Sequence, residues 1–324
     1  MDPNTAMEAA TEGAKALTKF QEIVQKIFGP RWTRKQADAD AYADERKLKT
    51  IRDNPDMEIV YIAGEMHARE RNPEMLVQRA EQRMLTEEIR REENIENIIE
   101  IAAQELEHED DVSDESVEED WIIRLFNIVK DINSKEMQYV WGKILAGEIK
   151  QPGSFSLRTL DTIRNLATNE AKLFQKILPF VMYLGTTDAF ISSNEEILKK
   201  YSISYDDILE LDEAGLVKSK GLRTTLKIIP HKPLCVSNKK YTLVFWNEKE
   251  QIETIGISNY ALTKAGFELF SLLAVDGDLE YACMMAEQIV KSNPNNVRIS
   301  VNKINSKSED TVNFVASPIK IYGE

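Results

Sequence analysis

The spacing of apolar residues changes once along this chain, near Gly185, and no other feature constrains the fold as strongly. Before that point, apolar side chains recur every three or four residues, as they do on one face of an α-helix. After it, runs such as TTLKIIP, KYTLVFW and NVRISVNKI are compact or alternate with a period of two, which is typical of strands. The sequence therefore predicts a mainly α-helical bundle followed by a C-terminal α+β region with an antiparallel sheet.

The helical part divides into three predicted segments. Residues 1–55 are predicted to form an amphipathic helix followed by a charged, alanine-rich helical arm. Residues 56–115 hold a short apolar run that fits either a strand or a helix, then a helix from Pro73 and an acidic loop. That helix is expected to be one piece, or two pieces joined near Glu92. Residues 116–185 are predicted to form antiparallel helices with short connections, the core of the bundle.

The remaining segment, residues 186–324, begins with two short predicted helices and continues with strands. This order resembles the winged-helix domains of many bacterial regulators, so a winged-helix-like region is predicted. The helix expected to face a partner, Tyr205 to Ala214, carries five acids that would repel DNA phosphates. A basic stretch follows it, and its members are the candidates for contact with an anion or a nucleic acid: Lys218, Lys220, Arg223 and Lys227.

Composition limits the classes of function. The formal net charge is −14, which argues against broad binding of DNA or RNA, because such binding uses Lys and Arg to displace counterions. The two cysteines, Cys235 and Cys283, are too far apart in sequence for a C-x-x-C motif, so we expect neither a zinc site nor a disulfide framework. Few cysteines, no secretory signal and no bilayer-length apolar run together predict a cytoplasmic protein.

No catalytic motif is found in the sequence. The three histidines, His67, His108 and His231, lack the spacing of metal ligands and are interpreted as surface residues near acids. Neither a G-x-S-x-G elbow nor a phosphate-binding glycine loop occurs. We therefore predict a non-enzymatic protein with no cofactor and no metal, while a hydrolase built on carboxylate ligands from distant segments stays an alternative.

The most distinctive stretch is WGKILAGEIKQPGSFSLRTL, Trp141 to Leu160, which we interpret as a joint between helices. The turn is predicted at its proline and the following glycine, with a serine capping the next helix. Its arginine could bind an anion, but a contact with Glu148 or Asp161 is favoured. The residues that define this signature segment are Trp141, Gly142, Gly147, Pro152, Gly153, Ser154, Ser156 and Arg158.

The signature segment also carries a family resemblance. With its flanks, Asp120 to Phe174, it resembles an uncharacterised bacterial family, a domain of unknown function. The runs ENIENIIEIAAQEL and YALTKAGFELF extend the resemblance over residues 75–275. This family implies no activity, cofactor or catalytic residue. Separately, the N-terminal helix, its break at Gly29-Pro30 and the charged arm are similar to the start of abortive-infection helical proteins, which implies a role in phage defence.

The leading hypothesis is therefore a bacterial protein that acts through protein–protein interaction or sensing. Its N-terminal helices are expected to mediate self-association, because residues 1–55 offer an apolar stripe with little neighbouring sequence to cover it. The identity of any partner protein is left open. The alternative is a winged-helix regulator that binds DNA through the basic stretch, and contact of the N-terminal helix with a membrane surface is less favoured.

Overall fold

A computed structural model describes most of the chain beyond residue 72 and short pieces before it. The described residues are 18–20, 22–23, 58–62, 65–69, 73–107, 112–185, 188–293, 298–307 and 311–323. The chain divides into two compact units, Met1–Ser154 and Phe155–Glu324, and this division falls inside the signature segment. The segment bounds predicted at residues 55, 115 and 185 stay predictions.

Among its described residues, the first unit contains a hairpin, three helices with defined bounds and part of an N-terminal helix. The short apolar run that fitted either a strand or a helix forms two antiparallel strands, paired from Glu58–Arg69 to Ile62–Glu65. The helix after it continues without a break near Glu92. The elements are β1 (Glu58–Ile62), β2 (Glu65–Arg69), α1 (Pro73–Leu106), α2 (Glu119–Val129) and α3 (Lys135–Lys150).

Helices α1 and α3 approach each other closely at a glycine. A Cβ atom placed on Gly142 of α3 would lie 2.4 Å from the Cγ2 atom of Ile101 and 3.3 Å from the carbonyl oxygen of Ile98, both on α1. The neighbouring Trp141 and Ile144 are fully buried. The missing side chain therefore lets the two helices bury their apolar faces against each other.

The start of α2 differs from the prediction. The run Ser116-Val117-Glu118-Glu119 has the pattern of a capping box, which predicts that the helix starts after Ser116. The helix instead begins at Glu119, and the N-cap residue Glu118 makes no side-chain capping bond. Val117 is 6% exposed, and burying this side chain holds the segment before the helix in the extended conformation that Glu118 adopts. For α3 the sequence offers Asn133 or Ser134 as the cap, and in the structure it is Ser134, which accepts a hydrogen bond from the amide of Met137.

Part of the N-terminal helix packs within the first unit. Phe20 and Ile23 are 7% and 5% exposed. The ammonium group of Lys19 donates to the backbone carbonyls of Ser113 and Ile149, each at 3.0 Å. These contacts cover part of the apolar stripe for which the sequence suggested self-association, and most of that stripe lies outside the described residues.

The second unit contains six helices and nine strands among its described residues. The helices are α4 (Leu157–Arg164), α5 (Thr168–Ile177), α6 (Glu195–Lys200), α7 (Tyr205–Glu213), α8 (Lys264–Leu272) and α9 (Leu279–Ser292). The strands are β3 (Met182–Leu184), β4 (Asp188–Ser192), β5 (Leu222–Ile228), β6 (Leu234–Ser237), β7 (Tyr241–Trp246), β8 (Glu253–Ala261), β9 (Arg298–Lys307), β10 (Val312–Phe314) and β11 (Lys320–Tyr322).

The nine strands form one antiparallel sheet, as the sequence predicted for this region. Its order is β10-β9-β7-β6-β3-β4-β8-β5, and β11 pairs with β9. Two of its members, β3 and β4, were not predicted. They are short, and β4 is buried on four of its five residues, so neither its length nor its pattern separates it from a loop or a helix end.

The helices of the second unit pack on the sheet and on each other. Helix α4 contacts α8, and α5 contacts α7. Helix α9 contacts β7, β8, β9 and β11. Its Tyr281 is fully buried and forms an aromatic cluster with Phe180 and Tyr201. The ring centroids of Phe180 and Tyr201 are 4.2 Å apart. None of the helices that the structure describes has a stretch both long and apolar enough to cross a lipid bilayer.

Candidate functional site

The four basic candidates lie on and just before β5. Lys218 and Lys220 belong to the segment between α7 and β5, while Arg223 and Lys227 lie on one face of β5, four residues apart. All four side chains are exposed. None of them forms an ion pair with another residue in the described part of the chain. Strand β5 is at the edge of the sheet, so these charges face solvent.

Helix α7 is held by a capping box and two buried side chains. Ser204 accepts a hydrogen bond from the amide of Asp207 at 3.1 Å, and the Asp207 carboxylate accepts one from the Ser204 amide at 2.9 Å. Ile208 and Leu211 are fully buried. This arrangement turns Tyr205, which is 54% exposed, toward solvent.

The outward side of α7 combines apolar side chains with unpaired acids. Leu209 is 37% exposed and lies one helical turn after Tyr205. Asp206 and Glu213 are exposed and form no ion pair with any described residue. By contrast, Asp207 pairs with Lys176 at 3.6 Å. We call Tyr205, Asp206, Leu209 and Glu213 the α7 surface.

A second aromatic ring supports the start of the α7 surface. The ring centroids of Tyr205 and Tyr260 are 6.3 Å apart, within the range of aromatic pairs. Burial raises the pKa of the Tyr260 hydroxyl, and the neighbouring Tyr205 and Glu195 raise it further. The hydroxyl of Tyr260 therefore stays protonated at neutral pH and can donate a hydrogen bond.

A cleft of about 660 Å³ opens in the second unit, next to the point where β4 ends. Its floor is apolar and formed by the buried residues Ile257, Met285 and Ile289. Its polar lining comes from the end of β4, from α6, from β5 and β8, and from the last turns of α9. The charged residues in this lining are Glu195, Glu196 and Arg223. We call this cavity the β8 cleft.

The backbone of β8 at Gly256 shapes the β8 cleft. A Cβ atom on Gly256 would lie 2.1 Å from Nε of Arg223 and 2.7 Å from the central carbon of its guanidinium, so this side chain lies against the bare backbone. The side chain of Asn293 holds the same residue from another direction. Its Oδ1 atom accepts from the Gly256 amide at 3.1 Å, and its amide group donates to the Gly256 carbonyl at 3.3 Å.

The turn in the signature segment is closed by backbone contacts and a buried acid. Gly153 has a φ of +85°, a conformation that favours glycine. The amide of Ser154 donates to the carbonyl of Gln151 at 3.2 Å. The amide of Gly153 donates to Glu148, whose side chain is 2% exposed, at 2.7 Å. The carboxylate therefore satisfies a backbone donor of the turn.

A second buried acid holds the start of α4. Ser156 caps this helix by accepting from the amide of Thr159. Glu268 of α8 is 7% exposed and accepts from the amide of Ser156 at 3.0 Å, while Lys264 lies 3.5 Å from its other oxygen. Sequence reasoning missed Glu268, because its partner is 112 residues away in the chain. The only available signal was its place in the run YALTKAGFELF.

The other signature residues lie on helices or beside the turn. Trp141, Gly142 and Gly147 belong to α3, and Pro152 immediately precedes Gly153. Arg158 is exposed on α4 and forms no ion pair with a described residue of its own unit, including Asp161, one of the two contacts favoured from the sequence. No signature residue lines the β8 cleft.

Within the described residues, no group of three or more His, Cys, Asp or Glu is arranged to hold a metal ion. His231 is exposed and lies 3.5 Å from Glu250, His67 is on β2, and His108 lies outside the described residues. The thiol of Cys235 is half-buried, and burial raises its pKa, so it is less reactive than a free cysteine.

Comparison with known proteins gives one match. A family model described as "Protein of unknown function (DUF2806)" matches residues 78–286. No curated protein and no solved structure matches the chain. The matched range includes the signature segment, the α7 surface and most of the residues that line the β8 cleft.

Proposed function

The chain belongs to the family described as Protein of unknown function (DUF2806), and because that description assigns no activity, we propose a function from the chain's own surfaces. We propose that it is a non-enzymatic interaction protein that binds a partner protein through the α7 surface. The observation that carries this proposal is the combination of exposed Tyr205 and Leu209 with the unpaired acids Asp206 and Glu213 on one short helix.

The order of elements around α7 supports a winged-helix-like arrangement. Strand β4 is followed by α6, α7 and β5, and β8 comes later in the chain, after β6 and β7. In the sheet, β4, β8 and β5 are neighbours in that order. In winged-helix proteins, the second of two such helices is the one that meets the partner. Here the corresponding helix is α7, so its outward side is the surface that a partner would contact.

The charges of the α7 surface favour a basic protein as the partner. Asp206 and Glu213 would repel the phosphates of a nucleic acid, and the whole chain has a formal net charge of −14. The same carboxylates would attract Lys or Arg side chains and speed the encounter. The exposed Tyr205 supplies the aromatic contact that interface hot spots commonly use.

The proposal is tested by capture and crosslinking with two α7 variants. The first, Tyr205→Ala with Leu209→Ala, removes the apolar contact. The second, Asp206→Lys with Glu213→Lys, reverses the charge. The matched control is Glu81→Lys with Glu93→Lys on α1, which makes the same charge change at exposed acids outside the α7 surface.

We expect a crosslinked partner that the wild-type chain and the control retain and that both α7 variants lose. The crosslinks should place a basic segment of that partner against α7. The proposal is wrong if the α7 variants capture the same proteins as the control in equal amounts.

The second candidate function is DNA binding by the winged-helix-like region. It is favoured by one observation, that Lys218, Lys220, Arg223 and Lys227 are all exposed and have no ion-pair partner among the described residues. The triple variant Lys218→Glu, Lys220→Glu and Arg223→Glu should then abolish binding of duplex DNA. The wild-type affinity should fall steeply with salt, because phosphate contacts release counterions. This function is excluded if the wild type and the triple variant bind duplex DNA with equal affinities that do not depend on the salt concentration.

Two other expectations stay predictions. Phage defence was implied by residues 1–55 alone, and most of those residues lie outside the described part of the chain. Self-association through the same helices is the other, and the oligomeric mass of the full chain tests it.

A further inference from the structure

The β8 cleft has the size and lining of a site for a small molecule. Its volume of about 660 Å³ lies inside the range of roughly 300–1,000 Å³ that ligand sites occupy. The floor of Ile257, Met285 and Ile289 can cover an apolar group. The walls carry hydroxyl and amide side chains, including Ser258 and Gln288, that can orient a polar one.

Charges of both signs in this cleft have no ion-pair partner among the residues that the structure describes. Arg223 forms no ion pair with any described residue, and neither Glu195 nor Glu196 forms one. The nearby Lys291 is paired with Glu287 at 2.7 Å, and it interacts with Glu196 electrostatically without forming a salt bridge. The cleft therefore presents one guanidinium and two carboxylates to whatever enters.

This set of charges selects the class of ligand. A simple anion would meet Arg223 but also two carboxylates of its own sign, and a simple cation would leave the guanidinium unpaired. A molecule with both charges satisfies both sides. We propose that the β8 cleft binds a zwitterion of the amino-acid class, with its carboxylate on Arg223 and its ammonium group on Glu195 or Glu196. The apolar floor would take its side chain.

Two contacts prepare Arg223 for this role. The guanidinium lies against Gly256, whose missing Cβ leaves room for it. Asn293 fixes Gly256 by bonding to both its amide and its carbonyl. A planar guanidinium held against a rigid strand can receive a carboxylate through two parallel hydrogen bonds. This inference concerns a different set of residues from the α7 surface and does not depend on the proposed function.

The test is titration calorimetry of the full chain with matched small molecules. The zwitterions are L-leucine, L-methionine and the dipeptide leucyl-leucine. Isocaproate supplies the carboxylate and apolar group of leucine without its amine, and isoamylamine supplies the amine without the carboxylate. Inorganic phosphate tests whether Arg223 binds any anion. We expect saturable binding of at least one zwitterion and affinities for the single-charge analogues that are weaker by about tenfold or more.

Three variants locate the binding. Two of them remove a charge-assisted contact: the single variant Arg223→Gln and the double variant Glu195→Gln, Glu196→Gln. Each should lower the affinity for the zwitterion by about tenfold or more. Gly256→Ala should act like Arg223→Gln, because the added Cβ displaces the guanidinium while leaving its charge in place. Lys227→Gln is the matched control, since it removes a positive charge from the same strand outside the cleft, and it should bind as the wild type does.

The outcomes are decisive in both directions. Absence of binding by all three zwitterions overturns the proposal, as does equal binding of isocaproate or phosphate, which would indicate a plain anion site. Unchanged affinity in the Arg223→Gln variant, with an unchanged melting temperature, also overturns it. A cleft variant that no longer binds the zwitterion but still captures the α7 partner would show that the two sites act independently. The failure of one proposal can therefore be distinguished from the failure of the other.

Discussion

At the scale of single residues, three glycines show how the atoms nearest to a missing side chain decide the cost of adding one. A Cβ on Gly266 would meet the carbonyl oxygen of Leu216 at 2.0 Å, a backbone atom that cannot move alone. On Gly142 it would meet the branched side chain of Ile101 at 2.4 Å. On Gly256 it would meet the side chain of Arg223, which is long and flexible.

This difference predicts an order of stability for the three alanine variants. Gly266→Ala should lower the free energy of unfolding by about 3 kcal/mol or more, because the backbone must shift. Gly142→Ala should cost about 1–2 kcal/mol, since overpacking is partly offset by the helix propensity of alanine. Gly256→Ala should change stability by about 0.5 kcal/mol or less. Urea unfolding of the three variants measures the order.

The control for this series is a double variant. Ile101→Ala removes the side chain that a Cβ on Gly142 would strike, so Gly142→Ala should cost less in that background than in the wild type. If Gly142→Ala lowers the free energy of unfolding equally in both backgrounds, the close approach does not depend on the side chain of Ile101.

The aromatic cluster supplies a second test on single residues. Tyr281 is fully buried, and its hydroxyl oxygen accepts from the amide of Ser192 at 2.7 Å. Tyr281→Phe leaves this buried amide unsatisfied, so it should lower the free energy of unfolding by about 1–3 kcal/mol. The control is Tyr201→Phe, which removes a longer, partly exposed bond of 3.2 Å to Asp278. We expect a smaller loss there, and thermal unfolding compares the two.

At the scale of elements, helix α1 shows contacts that its own sequence suggested only in part. The spacing predicts a pair between Glu87 and Arg91, but Arg91 instead contacts Glu88 at 3.5 Å and Asp131 at 3.0 Å. The bond to Asp131 raises the pKa of the guanidinium. Because Asp131 is 40 residues away in sequence, only the fold brings it to α1.

A row of acids on α1 leads to a pH prediction. Burial raises the pKa of Glu92, and the like charges of Glu88 and Glu96, one turn away on each side, raise it further. A raised folded pKa means that the folded state binds this proton more tightly than the unfolded state does. The ionised carboxylate of Glu92 therefore destabilises the folded state above the folded pKa. This destabilisation disappears as the pH falls through the folded pKa and then through the unfolded pKa of Glu92.

Glu92→Gln should accordingly stabilise the protein at neutral pH by a few tenths of a kcal/mol, about the effect of relieving like-charge pairs on a helix. The gain should shrink as the pH falls toward the range where Glu92 is protonated. Glu93→Gln removes the same charge at the next residue of the helix and is the matched control. Thermal unfolding over a pH series measures the stability of both variants. The prediction is wrong if the stability of Glu92→Gln and that of Glu93→Gln, each relative to the wild type, change in the same way with pH.

At the scale of the whole molecule, the division of the chain into two compact units falls inside the signature segment. The turn before the division is held by Glu148, and the helix after it is held by Glu268. The distribution of charge over the chain is equally a whole-molecule property. With a formal net charge of −14, the chain repels itself, so any self-association needs an apolar contact to overcome that repulsion.

We predict that this contact comes from the N-terminal helix. Light scattering of the full chain should give a mass above that of one 37.1 kDa chain, because the stripe of apolar residues in segment 1–55 extends beyond Phe20. A truncation that starts at Asp56 should be a monomer. It should also unfold more easily, since it lacks the buried Phe20 and Ile23. Identical monomer masses for both chains would contradict the prediction of self-association.

The local structure could be predicted from the sequence wherever it depends on neighbours along the chain. Periodicity located the helices from α1 to α5, and the predicted caps Ser204 and Thr263 are confirmed. Two caps were narrowed to a pair of neighbours that includes the observed Ser134 or Ser156, and one prediction, Ser193, is wrong by one residue, because Asn194 caps α6. These features arise within one or two turns, so a short window of sequence contains their cause.

The tertiary structure decided what depends on residues distant in the chain. It determined the sheet neighbours of β3, β4 and β6, the partner of Arg91, and the role of Glu268. It also created the β8 cleft, which combines the end of β4, one edge of β8 and the last turns of α9. Sequence spacing carries no signal for such sites, because chain folding alone brings their side chains together.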